Sequence, residues 1–188
     1  MNKKTITQFL QSFVVFPMLA IGGPLAGVAQ IPAATQDTVT LPADSTAITP
    51  LEEEIRAAHA KELDTFLASY DSPLEGYGRK FVDGAEKNDI DWRLLVAISG
   101  RESTFGKNAC KKATNSFLGY GSCKINFKSV DDAIEKVSES LGGNNENTAH
   151  HYDGKTTEQI LRKYNSVIPG YVKQVVKLMK LIDDEEIV

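Results

Sequence analysis

The sequence predicts a mainly α-helical domain, and three observations carry that reading. Beyond position 50, apolar residues recur at helical spacing in one segment after another. Helix-start signals, a Ser, Thr or Asp with an acid or amide close behind, precede several of those segments. Only residues 117–127 offer a candidate small β-hairpin, with Gly119 and Gly121 as its turn residues. The composition agrees with a folded chain: 188 residues with 41% hydrophobic and 24% charged content exclude a wholly disordered or collagen-like polymer. A net charge of −4 argues against a general nucleic-acid binder, and two cysteines cannot make a four-cysteine zinc site.

The elements follow in order. Leu51, Ile55, Ala58, Phe66 and Tyr70 lie on a loose helical spacing behind Glu52, Glu53 and Glu54, so 51–71 is expected to be a helix, either packed on the domain or standing as a short stalk. The compact domain is expected over 72–184. Ser72-Pro73-Leu74-Glu75 has the form of a helix start, with Phe81, Val82 and Ala85 as the apolar face behind it. Asp91 is placed to cap a helix whose run Trp92 to Ile98 is nearly all apolar, the mark of a helix buried on every side. Ser129 with Asp132 opens another helix, carrying Val130, Ala133, Ile134, Val137 and Leu141, and Gly142-Gly143 ends it. Thr156 and Gln159 form a capping box ahead of Ile160, Leu161 and Tyr164. Tyr171, Val172, Val175, Val176, Met179 and Ile182 make the last amphipathic helix.

Residues 1–29 have the pattern of an export signal. Lys3 and Lys4 supply the positive start, an apolar stretch runs from Phe9 to Ala20, and Gly27 and Ala29 stand at −3 and −1 of a cleavage site at Ala29–Gln30. An uncleaved anchor is the alternative, although Pro17 and Pro24 suit a spanning helix poorly. Residues 30–50, rich in Pro, Thr, Ala and Ser without a period, are expected to be a flexible linker. Export makes a disulfide the expected state of Cys110 and Cys123, closing a loop of about 14 residues; two buried free thiols are the alternative.

The chemistry concentrates between Asp91 and Phe127. Leu95, Ile98 and Glu102 share one helix face, so a carboxylate stands at the end of an apolar stripe. Desolvation and the negative end of the helix dipole both favour the protonated form, which is what a general acid needs to protonate a leaving oxygen. Six cations, Arg101, Lys107, Lys111, Lys112, Lys124 and Lys128, oppose that effect unless they face solvent, and the same cluster would attract an anionic polymer. Residues Gly100 to Lys107 miss the phosphate-loop spacing by one, and Asn108 stands where magnesium would need Ser or Thr. His150-His151 lacks a third ligand at suitable spacing and is expected to be a solvated loop pair, while His59 is expected to be structural.

This stretch resembles the lysozyme-like superfamily of peptidoglycan-cleaving enzymes, most of all the glucosaminidase-type (mannosyl-glycoprotein endo-β-N-acetylglucosaminidase-like) domains and more distantly the lytic transglycosylases. The resemblance rests on Glu102-Ser103-Thr104-Phe105-Gly106 at the end of a buried helix, on Asn115-Ser116-Phe117-Leu118-Gly119 with Tyr120-Gly121, on Phe127-Lys128-Ser129 opening the next helix, and on Tyr164-Asn165. It covers roughly residues 72–183. It implies a lysozyme-like helical domain with Glu102 as the general acid and Ser103 supporting it through its hydroxyl. Asn115, Phe117 and Tyr120 would then line the sugar groove, with Tyr164 facing Glu102 across it. Two departures stand out. The Gly-Leu-Met-Gln run usual in transglycosylases is absent, and no Asp or Glu lies between Ser103 and Val130 to act as a second acid. Asp131, Asp132 and Asp153 remain as distant candidates.

The expectation is therefore an exported glycoside hydrolase acting on peptidoglycan glycan strands at β-1,4 bonds. It needs no metal or organic cofactor and no nucleic acid, and meets a membrane only through its N-terminal segment. The alternatives are a transglycosylase leaving anhydro ends and a non-catalytic glycan-binding module.

Overall fold

In a computed structural model the described residues, 48–183, form seven α-helices with no strand among them. They are α1 (Pro50–Ser69), α2 (Gly78–Lys87), α3 (Leu94–Ser103), α4 (Val130–Leu141), α5 (Ala149–Tyr152), α6 (Thr157–Tyr164) and α7 (Tyr171–Asp183). The export signal expected at 1–29 lies outside the described residues, as does the linker up to residue 47; its last residues, Thr49 and Pro50, cap and begin α1. No described helix is long and apolar enough to cross a membrane.

The centre of the fold is α3. Leu94 to Ile98 are all buried, as a helix apolar on every side requires, and α7, α2 and the lip loop after α3 surround it. Each neighbour offers one apolar stripe. From α4 come Ala133, Ile134, Val137 and Leu141; from α6, Ile160 and Leu161; from α7, Tyr171, Val175, Met179 and Ile182. The caps expected for α4 and α6 form as their sequences require. Ser129 Oγ accepts from the Asp132 N–H at 3.1 Å, and Thr156 and Gln159 exchange the two bonds of a capping box.

Helix α1 is part of this core and not a stalk. Its buried face is Ala60, Leu63, Phe66 and Leu67, with the Phe66 ring edge-on to Phe105 at 5.3 Å. The expected face holds only in part: Phe66 is buried, whereas Leu51, Ile55 and Ala58 are exposed, and the first turns of α1 meet α2 through the ion pairs Glu53–Arg79 and Arg56–Glu86. His59 stacks on Trp92 at 4.1 Å and so ties α1 to the approach to α3.

Residues 72–77 do not begin a helix. Ser72 Oγ accepts from the Leu74 N–H and donates to the Phe105 carbonyl, so it holds a turn against the end of α3. Helix α2 starts at Gly78, and its cap comes from a different helix. Asp64 of α1 accepts from the N–H groups of Gly76 and Gly78, both at 2.8 Å. Gly78 permits this crossing, since a Cβ there would lie 2.2 Å from the Ala60 carbonyl oxygen. The hairpin expected at 117–127 is absent. In its place the Phe127 N–H reaches the Thr114 carbonyl, Asn126 caps the Thr114 N–H, and Tyr120–Cys123 make a short 3-10 turn. Cys110 and Cys123 lie at disulfide distance across this lip, with their Cα atoms 5.9 Å apart.

Candidate active site

Helix α3 ends abruptly at the residues of interest. Thr104 and Phe105 adopt positive φ values of 53° and 54°, and Gly106 follows at 86°. Two successive non-glycine residues in the left-handed region are costly, so the surroundings must hold them. The Phe105 N–H closes on the Ser99 carbonyl, the Asn108 N–H on the Ser103 carbonyl, and the Phe105 ring is buried against Phe66 and Tyr70. This stop leaves Glu102 on the last turn, at the mouth of a cavity of about 700 Å³.

The cavity opens between the lip loop on one side and α5, α6 and the 165–168 loop on the other. Gly119, Tyr120, Gly121 and Ile125 line the first wall; His151, Tyr152, Tyr164, Val167 and Ile168 line the second. Glu102 is half-buried and lines the cavity, and it enters no ion pair among the described residues. Gly119 packs directly on it: a Cβ at that position would stand 2.7 Å from Oε2 and 3.2 Å from Cδ. With φ of +69°, residue 119 takes a conformation that glycine adopts without strain.

The expected site residues separate into two groups. Glu102, Tyr120 and Tyr164 do meet in the cavity, with the two tyrosine rings 6.1 Å apart. The Tyr164 hydroxyl, however, donates to the Leu118 carbonyl at 2.5 Å, so it braces the lip. Burial holds that phenol well above its ordinary pKa, and nearby Tyr171 and Glu102 push the same way. Ser103, Asn115 and Phe117 do not line the cavity. Ser103 is buried; its hydroxyl lies 3.0 Å from the Ser99 carbonyl and 2.6 Å from the Phe117 carbonyl, and accepts from the Gly106 N–H. It therefore joins the lip to the end of α3 and does not support the carboxylate. Phe117 is a core side chain, edge-on to Phe81 at 6.3 Å. Asn115 is a turn residue with φ of 52°, its side-chain amide donating to the Phe127 carbonyl.

The candidate second acids are elsewhere. Asp131 pairs with Lys80 at 3.1 Å, and Asp132 pairs with Lys136 while accepting from the Lys128 N–H; Asp153 is exposed beyond α5. None lines the cavity, so among the described residues Glu102 is its only carboxylate. The lip lysines 107, 111, 112, 124 and 128 are exposed, and Lys107 donates to the Tyr70 carbonyl.

Sequence reasoning missed part of the second wall. His150 and His151 are not a loop pair but the middle of the short α5, and His151 faces the cavity. Its pKa is held below the usual value by desolvation first, then by His150, Lys163 and Lys155. Burial, with Tyr120 nearby, pushes the Tyr152 phenol up to about 12. A four-residue helix carries too few positions to show a period, so no local signal marks it. No group of three or more potential metal ligands occurs among the described residues. No family model, curated protein or solved structure matches this chain.

Proposed function

We propose that this domain is a lysozyme-like glycosidase that cleaves β-1,4 bonds between N-acetylated amino sugars in peptidoglycan, with Glu102 as the general acid. The observation that carries the reading is the place of that carboxylate: it stands at the end of a buried helix, walled by a glycine, outside any ion pair among the described residues, and open to a cavity wide enough for sugar rings. Structural carboxylates in this molecule are instead spent on caps or cations, as Asp64, Asp91 and Asp132 are. Tyr120, Tyr152 and Tyr164 offer ring faces to sugars, and Ile125 and Val167 offer apolar contacts at opposite rims.

A single carboxylate favours one class of mechanism. Two-carboxylate glycosidases hold the second acid within about 5–9.5 Å of the first. With no such group lining the cavity, the nucleophile is best supplied by the substrate, either its own acetamido oxygen or a ring hydroxyl. The first gives a reducing end with retained configuration, the second an anhydro end. A non-catalytic glycan-binding module is the second reading, favoured by the same missing acid.

Digestion of purified peptidoglycan, followed by mass identification of the new ends, tests the reading. Reducing N-acetylglucosamine ends support a glucosaminidase; reducing or anhydro N-acetylmuramic acid ends support the muramidase or transglycosylase branch. Intact glycan across several wall types, with the protein still bound to it, would leave the binding module.

A further inference from the structure

The lip loop carries a charge pattern that the proposed function does not use. The chain as a whole is acidic, with a net charge of −4, yet the stretch between Ser103 and Val130 holds five lysines and no Asp or Glu. All five lysines are exposed. Two are already occupied: Lys107 donates to the Tyr70 carbonyl, and Lys128 has the Asp132 carboxylate against its backbone N–H. Lys111, Lys112 and Lys124 enter no ion pair among the described residues. The fold gathers these three. Cys110 and Cys123, their chain neighbours, lie with Cα atoms 5.9 Å apart, so Lys111 and Lys112 leave one side of the pair and Lys124 leaves the other. Hydrogen bonds from Thr114 to Asn126 and Phe127 hold the two limbs of the loop side by side. Lys124 stands at the rim of the cavity: Cys123 and Ile125 on either side of it line the space that Glu102 opens on, and Lys124 itself does not. Exposed cations brought together in this way raise the local potential, here at the mouth of the cavity.

We propose that Lys111, Lys112 and Lys124 form a docking surface for the free carboxylates of the peptides that branch from the glycan, so that the substrate is a strand still carrying its peptides. The proposal rests on the reading of the cavity as a peptidoglycan site. The choice of partner follows from position. A strand seated in the cavity leaves its branches at the rim, where Lys124 stands, and a branch running outward over the cysteine pair passes Lys111 and Lys112. The partner must therefore be negative and borne by the glycan itself, as the peptide carboxylates are. The residue type agrees. Lysine is a point charge on a flexible stem, suited to carboxylates whose positions vary along a branch, whereas one fixed carboxylate would call for the bidentate fork of arginine. Exposed pairs of this kind are weak one by one, so the surface acts through their number and is screened by salt.

The test measures sedimentation of the full chain with insoluble peptidoglycan freed of phosphate-bearing polymers, at low and at high salt. Three forms of the same wall are compared: intact, stripped of its peptides by an amidase, and with its peptide carboxylates converted to amides. The unaltered protein is expected to bind the intact wall about 10-fold more tightly than the other two at low salt, with the difference shrinking as salt is raised. The combined variant Lys111→Gln, Lys112→Gln, Lys124→Gln should lose that preference at an unchanged melting temperature. The variant Lys173→Gln, Lys177→Gln, Lys180→Gln, which removes the same charge from exposed positions of α7, should keep it. Equal binding to the three walls by the unaltered protein overturns the proposal, as does a lip variant that keeps the preference or an α7 variant that loses it equally. Tight binding only to wall that retains its phosphate polymers overturns it in favour of a phosphate partner. A preference that stands while the unaltered protein releases no glycan ends removes the proposed cleavage and supports the docking surface.

Discussion

Gly119 leaves room for Glu102 that no other residue would, and so sets where the carboxylate can be. Any side chain at 119 meets Oε2 and must adopt a left-handed backbone as well. Gly119→Ala is expected to cost about 1–2 kcal/mol of stability for the backbone alone. Cleavage should fall further, about 100-fold, because a displacement of about 1 Å at a reacting group has that effect. Urea unfolding beside a glycan-digestion rate separates the two losses. Ser103→Ala is a contrasting case. Its hydroxyl joins the Gly106 N–H and the Phe117 carbonyl inside the protein, so the loss should be mainly of stability, about 1–3 kcal/mol for buried groups left without partners. If Ser103→Ala lost cleavage with its melting temperature unchanged, the buried tie described for it would be wrong.

At the scale of elements, α1 and α2 depend on each other through Asp64. Asp64→Ala leaves the Gly76 and Gly78 N–H groups uncapped and should cost about 1 kcal/mol, read as a lower urea midpoint with the same m-value. Asp91 fastens the approach to α3. Burial alone would raise its pKa, but the side-chain and backbone bonds with Arg93 prevail and hold it below the ordinary value. Its contribution to stability is thus complete above the ordinary carboxylate pKa and is lost as the pH falls through the lowered folded value. Asp91→Asn should flatten that acid limb in a series of melts at falling pH. The helices that sequence placed best, α4, α6 and α7, are those whose caps and stripes are local: Ser129 with Asp132, Thr156 with Gln159, and Tyr171 to Ile182 at regular spacing. Helix α2 was misplaced because its cap lies fourteen residues back on α1, and Ser72-Pro73 mimics a start while serving the end of α3. Part of the α1 face was misplaced because its first turns meet α2 through ion pairs and not through apolar side chains, a tertiary fact.

For the whole molecule, the Ser103, Tyr164 and Ser72 hydroxyls and the Lys107 ammonium tie the lip to the helical body, while the cysteine pair and the Asn115 amide close the lip on itself. Removing the crosslink with Cys110→Ser and Cys123→Ser should cost about 3 kcal/mol, seen as a melting temperature that no longer responds to reductant. The site itself was legible only in part. Glu102 stands out in the sequence because a charged residue ending an apolar run breaks its pattern, whereas the places of Gly119 and His151 arise where the lip and α5 meet at the cavity, which no local spacing records. Phe117 and Asn115 show the converse, since an aromatic and an amide in a glycine-rich loop look alike whether they face a groove or hold the turn. The central claim, that Glu102 donates the proton that breaks a glycan strand, is tested most directly by comparing the unaltered protein with Glu102→Gln on purified peptidoglycan and weighing the products. The account predicts new glycan ends from the first and a loss of about 100- to 10,000-fold in the second, with melting and glycan binding retained. Equal release of ends by both proteins would contradict it.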